Sequence, residues 1–236
     1  MAALIEQPLV VLTGAGISAE SGVPTFRGEE GLWGDYSPQE LATLAAFRRD
    51  PHLVWSWYAW RRKLIAACEP NAAHQTLAEM EQALPDVTLV TQNVDGLHQA
   101  AGSGRVLELH GNVWRLRCMR CERIEEDHRV PLPDLPPHCS ACDGLLRPNV
   151  VWFGESLPRE VLDAALAAAG RCGTMLVIGT SALVEPAASL PLVAVRKGAG
   201  LVEINPQVTP LSKHAHQVLR EPAGEALPRW WSAHRR

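Results

Sequence analysis

The chain has 236 residues, close to half of them apolar, and a formal net charge of −4. That is enough for one large domain with a smaller insertion and a sizeable core, and no basic run is long enough for a nucleic-acid footprint. No apolar stretch reaches membrane-spanning length, and the N-terminus has no basic n-region and carries Glu6 early, so neither a membrane span nor a secretory signal is expected, and a cytoplasmic protein is.

The first apolar run, residues 9–12, reads as a buried strand that ends in Thr13 and Gly14-Ala15-Gly16. Gly14, Gly16 and Ala19 fit G-x-G-x-x-G/A, the dinucleotide fingerprint. In that reading Gly14 takes a tight turn at positive φ, Gly16 lets backbone N–H groups approach a pyrophosphate, and Ala19 lets a following helix pack closely on the strand. A glycine turn leaving any parallel strand satisfies the same spacing. An ordinary dinucleotide fold would continue through a helix and a second strand to an acidic residue about 20 positions on. Here the chain gives Gly22-Val23-Pro24-Thr25-Phe26-Arg27-Gly28 and then Gly31-Leu32-Trp33-Gly34. A glycine-punctuated loop of this length suits a lid or a binding loop.

Ser37-Pro38-Gln39-Glu40 is a capping box that predicts a helix to about Arg49. Asp50-Pro51 starts another, to about Cys68, and Asn71 caps a third over 72–84. Buried strands are predicted at Val87–Thr91, 106–109, 175–179 and Gly200–Ile204, with a sixth at Gln217–Leu219. Helices over 157–170 and 186–197 lie between them. Strands alternating with helices imply a parallel sheet covered on both faces. The second strand comes only near residue 87, so the helices before it form an excursion from the sheet. Trp230 and Trp231 read as a helix end packed on the sheet, followed by a solvated tail.

Cys118-x-x-Cys121 and Cys139-x-x-Cys142 stand 17 residues apart. Four thiolates at this spacing close a tetrahedral zinc site with no open position for water, hence a structural one. Such a site contributes on the order of 10 kcal/mol to folding. The insert 114–147 is rich in charge and proline and poor in core residues, and is expected to fold only with metal. Cys68 and Cys172 read as buried thiols.

His110 directly follows the third strand. Ligands in open α/β sheets bind beyond the carboxyl ends of strands, where a histidine serves as a general base. The alternative is a histidine satisfied by local backbone. The cofactor loop favours the base, whereas His74 and His98, in helical segments, read as structural. Gln92, Asn93 and Asp95 leave a second strand end and suit a ribose and a carboxamide. Gly179-Thr180-Ser181 leaves another, and Asn205-Pro206 a further one. Each is also ordinary turn chemistry. Their common position at strand ends supports a cofactor site. Tyr58 and Arg61, three apart on one helix face, can together hold a carboxylate. A packed tyrosine beside a solvated arginine is the other reading.

Together GAGIS, GVPTFRG, TQNVDGLH, LHGN, the paired C-x-x-C, FGE, GTS and INP resemble the sirtuins, NAD-dependent protein lysine deacylases, in order and over nearly the whole chain. The resemblance implies an α/β fold: a Rossmann-type large domain with a parallel sheet (about 1–34, 71–113 and 149–236) and a smaller domain with helical (35–70) and zinc-ribbon (114–148) parts. NAD would lie in the cleft between them. It assigns Gly14, Ala15, Gly16 and Ala19 to the pyrophosphate side of NAD. Thr25, Phe26 and Arg27 would lie over the nicotinamide ribose and phosphates, Trp33 on the same loop would also touch the cofactor, and Gln92, Asn93 and Asp95 would contact ribose and nicotinamide. Gly179, Thr180, Ser181, Asn205 and Ala223 would line the adenosine end. His110 and Asn93 would be catalytic. Phe153, Gly154 and Glu155 with Val184 and Glu185 resemble the segments that hold a substrate peptide as an added strand.

Tyr58 and Arg61, with small Ala42, resemble the sirtuin class that removes succinyl and malonyl groups, without excluding acetyl. The family mechanism consumes NAD: the acyl oxygen attacks the anomeric carbon as nicotinamide leaves, His110 deprotonates a ribose hydroxyl, and the acyl group departs on ADP-ribose. Acylated-lysine proteins or peptides are the implied partners, with one structural zinc. An NAD-dependent ADP-ribosyltransferase on the same scaffold and a non-catalytic NAD or zinc-ribbon interaction module are the competing readings. The presence of His110 and Asn93 argues against both.

Overall fold

The computed structural model describes residues 5–25 and 38–235, so Phe26, Arg27, Trp33 and Ser37 lie outside the described residues. Strand β1 (Leu9–Thr13) is buried throughout and ends in two short 3-10 turns, Ala15–Ile17 and Ala19–Ser21. The regular helix expected after the glycine fingerprint is not there.

The helix expected to run unbroken to Arg49 is two, α1 (Pro38–Leu41) and α2 (Leu44–Arg49). Thr43 is extended and its hydroxyl accepts from the Ala46 N–H at 3.0 Å, so it caps a new helix. The break frees the Ala42 carbonyl, which accepts from the Phe153 N–H at 2.9 Å. Helix α3 (Pro51–Ala66) begins as expected, with Pro51 at its first position and the Asp50 carboxylate accepting from the Leu53 N–H. Helix α4 (Ala72–Ala83) is capped by Asn71, and His74 completes the box by accepting from the Asn71 N–H.

Strand β2 (Val87–Thr91), helix α5 (Leu97–Ala100) and strand β3 (Val106–Glu108) follow. The cysteine insert then contributes strands that its composition did not announce: β4 (Gly111–Cys118), β5 (Ile124–Glu126) and β6 (Leu146–Val150), an antiparallel sheet in the order β5-β4-β6. The chain finishes with α6 (Arg159–Arg171), β7 (Thr174–Ile178), a 3-10 turn at Ala187–Ser189, α7 (Leu190–Arg196), β8 (Gly200–Ile204), β9 (Gln217–Leu219) and α8 (Ala223–His234).

The main sheet has the order β3-β2-β1-β7-β8-β9, and every pairing is parallel. Side chains alternate between its faces. Leu9, Val11, Leu176 and Ile178 pack under α4 and α8 with Leu77, Met80, Trp230 and Trp231. Val10, Leu12, Met175 and Val177 pack under α6 and α7 with Ala165, Ala168, Leu190 and Ala194. A third core joins α2 and α3 to the antiparallel sheet through Phe47, Trp55, Tyr58, Val113, Leu116 and Trp152. The order reverses beside β1, which has β2 on one side and β7 on the other. Ligands of such sheets bind at this switch point.

Candidate active site

The carboxyl ends of β1 and β7 meet at the switch point. Gly14 is extended (φ −128°) rather than at positive φ, so the tight-turn reason for a glycine there is corrected. Its necessity is steric: a Cβ would lie 2.7 Å from the Thr180 Cβ and 2.9 Å from the Gly179 oxygen. A Cβ on Gly16 would lie 2.8 Å from the Gly179 Cα. The Gly14 and Gly16 N–H groups donate to Ile178 and Gly179 carbonyls, so they lock the two strand ends together. Gly179 is the residue with positive φ, +62°. The glycines pack backbone against backbone with no room for a Cβ, which keeps the open space beside them clear of side chains, as a pyrophosphate at the switch point requires, while the Gly14 and Gly16 N–H groups are themselves committed to carbonyls. Beside them a cavity of about 290 Å³ is lined by Gly16, Ala19, Glu20, Gly179, Ile204, Pro206, Pro222 and Ala223. The structure thus brings Gly16, Ala19, Gly179 and Ala223 to one place. Asn205 braces the cavity wall: its Nδ2 donates to the Thr180 carbonyl at 2.9 Å. Ala15 begins the first 3-10 turn, and Thr25 is the last described residue before residue 38.

A buried polar network lies under the ends of β1 and β2. The Ser18 hydroxyl donates to Asp95 Oδ2 at 2.8 Å and accepts from Asn93 Nδ2 at 3.1 Å. His74 Nε2 lies 3.4 Å from the same hydroxyl. With His74 Nδ1 accepting from Asn71, Nε2 is the donor. The Thr13 hydroxyl donates to Thr91, so His98 donates to Thr13 through Nε2 at 2.9 Å. Burial holds both histidines neutral: it pushes His74 down to about 4, against the pull of Asp95, and His98 down to about 3, with His74 adding to the effect. Asp95 uses its other oxygen to cap α5 through the Leu97 N–H. Its carboxylate therefore positions Ser18 and Asn93 from within. Ser18 is the member of this network that the fingerprint spacing passed over, although it stands inside GAGIS.

Gln92 Nε2 donates to the Thr180 hydroxyl at 3.0 Å, linking the β2 end to the β7 end, and Ser181 follows in the same turn. The Gln92 carbonyl lies 2.9 Å from His110 Nδ1. A carbonyl only accepts, so Nδ1 carries the proton and Nε2 offers its lone pair. Burial lowers the His110 pKa, and the bond to Gln92 opposes the shift.

Tyr58 and Arg61 are both buried, at 2% and 5% exposure, which removes the solvated-arginine reading. Burial raises the Tyr58 pKa, partly offset by Arg61, and lowers that of Arg61, partly offset by Tyr58 and Asp95. Trp152 Nε1 donates to the Tyr58 oxygen at 2.9 Å. The phenol therefore keeps its own proton to donate. Buried Ala42 belongs to the same core. Trp152 is a wall residue that no spacing flagged.

Phe153 and Val184 are exposed apolar residues, as a peptide-binding surface requires. Gly154 has φ +85° and completes a turn behind Phe153. Glu155 is occupied internally. It takes both terminal nitrogens of buried Arg147, at 2.5 and 2.9 Å, and the Trp152 N–H. Burial opposes its ionisation, but these donors hold its carboxyl below the usual range. Glu185 accepts from the Ser189 hydroxyl at 2.8 Å.

The four sulfurs of Cys118, Cys121, Cys139 and Cys142 lie within 4.8 Å of one another. Two of the separations are 3.5 and 3.8 Å. A tetrahedron with Zn–S bonds of about 2.3 Å has edges of about 3.8 Å, so the donor set fits zinc. Cys172 is buried as expected, while Cys68 is only half-buried, and burial raises the pKa of both thiols.

The Sir2 family profile matches residues 14–186. An NAD-dependent protein deacylase of Aquifex aeolicus is 53% identical over 219 residues, 93% of this chain and 92% of that protein. NAD-dependent protein deacylase 1 of Archaeoglobus fulgidus is 51% identical over 220 residues, 93% of this chain and 89% of that protein. A crystal structure of a Sir2 homologue–NAD complex superposes with a TM-score of 0.92 at 49% identity, covering 97% of this chain and 89% of the other. A Sir2–p53 peptide–NAD+ complex gives a TM-score of 0.87 at 35% identity, with 97% and 93% coverage. The glycines at the sheet's switch point, the histidine beyond β3 and the four-thiol cluster stand on a scaffold shared with these proteins over more than nine-tenths of the chain, and the chain belongs to the Sir2 family.

Proposed function

We propose that this chain, an NAD-dependent protein deacylase, acts on lysine side chains whose acyl group ends in a carboxylate, succinyl or malonyl, and removes acetyl as well. The products are nicotinamide, O-acyl-ADP-ribose and free lysine. The observation that carries the reading is the joint burial of Tyr58 and Arg61 on one face of α3, with the Tyr58 proton left to donate. A cation in so dry a place is stabilised by an anionic ligand. Ala42, with its small side chain, leaves room for the longer acyl chain.

NAD, when bound, supplies the ribosyl carbon that takes the acyl group, and no hydride moves. His110 holds its own proton on Nδ1 against Gln92 and takes a ribose hydroxyl proton at Nε2. Asn93, fixed by Ser18, orients the ribose side. Arg61 and Tyr58 bind the distal carboxylate. A hydrogen bond to a charged group is worth roughly 1.5–3 kcal/mol, which is about 10- to 150-fold in binding or rate. An acetyl group offers no carboxylate to these residues.

The test uses matched succinyl- and acetyl-lysine peptides with NAD, following released nicotinamide and acyl-ADP-ribose. Arg61→Met is expected to lower kcat/KM on the succinyl peptide by about 10-fold or more while changing the acetyl value far less. An equal loss on both peptides would refute the carboxylate role. No NAD-dependent acyl loss from either peptide by the unaltered enzyme would sink the deacylase reading itself.

A further inference from the structure

The cavity beside the glycines is walled in part by the turn after β8 and by the segment leading into α8. Both contain proline where the cavity is lined, Pro206 and Pro222. Pro206 and Pro222 themselves lie just outside strand and helix, beyond the point where the β8–β9 ladder ends in the Asn205 N–H to Leu219 carbonyl bond at 3.0 Å. One carboxylate and one guanidinium tie the two walls together beyond that ladder. Glu203, on β8, is 1% exposed. It accepts from the Thr209 hydroxyl, from the Ser212 hydroxyl at 2.6 Å and from Arg220 Nη1 at 3.1 Å. Arg220 lies two residues before Pro222. Its Nη1 is shared with the Asn205 carbonyl at 3.1 Å and the Gln207 carbonyl at 2.9 Å, and its Nη2 donates to the Ser212 hydroxyl at 2.6 Å. These two carbonyls flank Pro206. The guanidinium therefore ties the Pro206 wall to the Pro222 wall, and buried Glu203 anchors it to the sheet.

We propose that Arg220 and Glu203 are positioning residues that set the width of this cavity and thereby the affinity for the adenosine half of NAD. They act through Asn205, Pro206 and Pro222 and line none of the cavity themselves. The inference rests on assigning the cavity to the adenosine end. Multidentate, charge-assisted bonds to backbone carbonyls suit such a role, because a planar guanidinium fixes direction as well as distance. Lysine has one nitrogen and cannot hold the same set of acceptors.

The test compares steady-state kinetics of the zinc-loaded enzyme with calorimetric binding of ADP-ribose. Arg220→Met is expected to raise KM for NAD by about tenfold or more, with the ADP-ribose dissociation constant rising in the same ratio. At saturating NAD, kcat is expected to stay within about twofold, with the peptide KM unchanged. Arg220→Lys should fall between Arg220→Met and the unaltered enzyme. A merely structural role would lower the active fraction, and so kcat, without moving KM for NAD, and that result would overturn the proposal. An equal rise in KM for NAD and for peptide would overturn it too. Should Arg220→Met fail to fold, Ser212→Ala removes one arm of the clamp on a half-exposed residue and is read the same way. It should weaken ADP-ribose binding, and unchanged binding would overturn the proposal.

Ala19→Leu tests the adenosine assignment apart from the clamp, since Ala19 is exposed and lines the cavity. If it leaves ADP-ribose binding untouched, the adenosine assignment fails and the clamp falls with it. If it weakens binding while Arg220→Met does not, the clamp alone fails.

Discussion

His110 and the pair His74–His98 show opposite uses of the same side chain. His110 is half-buried with one nitrogen committed to the Gln92 carbonyl, and its pKa is lowered chiefly by burial. A base works only unprotonated, so kcat/KM should fall as pH drops through its pKa, with that acid limb below the ordinary histidine value of about 6.5. A pH–rate profile with the limb at or above that value would remove His110 from the role, and His110→Tyr should abolish turnover on every acyl group. His74 and His98 face each other at 4.9 Å between ring centroids and are held neutral, at about 4 and about 3. In the unfolded chain they take up protons near pH 6.5, whereas the folded protein refuses them until much lower pH. Below about 6.5 the unfolded state thus binds more protons, and stability falls with pH by up to ~1.4 kcal/mol per unit for each histidine. Urea unfolding at pH 7, 6 and 5 should show this slope, and His98→Gln should flatten it. A stability profile without slope in the unaltered protein would contradict the neutral pair.

Among the elements, α3 carries the most contrasting duties. One face presents Tyr58 and Arg61. Elsewhere along it Trp55 Nε1 donates to the Leu146 carbonyl at 2.8 Å, and Arg62 meets Asp127 at 3.1 Å with both side chains almost fully buried. Leu146 opens β6 and Asp127 directly follows β5, so the helix leans on the sheet that carries the four cysteines. Zinc removal should therefore reach the acyl pocket. Chelation is expected to release zinc, shift the fluorescence of Trp55, Trp114 and Trp152, and abolish deacylation of succinyl and acetyl peptides alike. Activity that persists after complete zinc loss would uncouple the ribbon from the pocket. Asp127→Ala leaves Arg62 buried without its counter-charge and should cost about 3 kcal/mol, read from urea midpoints at constant m-value.

At the scale of the whole molecule, β1 joins parts of the chain that are far apart in sequence. Thr13 pairs with Thr91 on one side and Ile178 on the other. The two glycine turns beyond β1 and β7 interlock so closely that a Cβ on Gly179 would collide with the Ile17 nitrogen. Its φ of +62° adds strain for any side chain. Gly179→Ala should therefore lower stability and weaken ADP-ribose binding together. Calorimetry and thermal unfolding on one preparation check it, and unchanged ADP-ribose affinity would mean that the interlocked turns do not shape the cofactor site.

Much of this was legible from local patterns. The parallel strands are short apolar runs, and their strand-end residues, His110 and the Gln92–Asp95 cluster among them, could be placed beyond the sheet from sequence order alone. The zinc ligands follow from spacing, because two C-x-x-C knuckles bring four thiols within one ion's reach. Other features belong to no local pattern. The strands β4 to β6 are poor in alternation because β4 shifts register against β6 between Asn112 and Leu116, which breaks the period of two. The break at Thr43 depends on the Phe153 N–H that uses the freed Ala42 carbonyl, 110 residues later. Whether Arg61 was solvated or buried could not be read from its helix, since burial depends on Trp57, Tyr58 and the Trp152 wall that folds over them. A glycine is required at position 14 by the closeness of Gly179 and Thr180 and not by its own backbone angle. The sequence by itself determined the order of the parallel strands and the helices between them and the identities of the reactive groups, because these follow from periodicity and chemistry within a few residues. Only the tertiary structure decided which groups are dry, which protons they hold and which glycines touch, because each depends on what is packed against them from elsewhere in the chain.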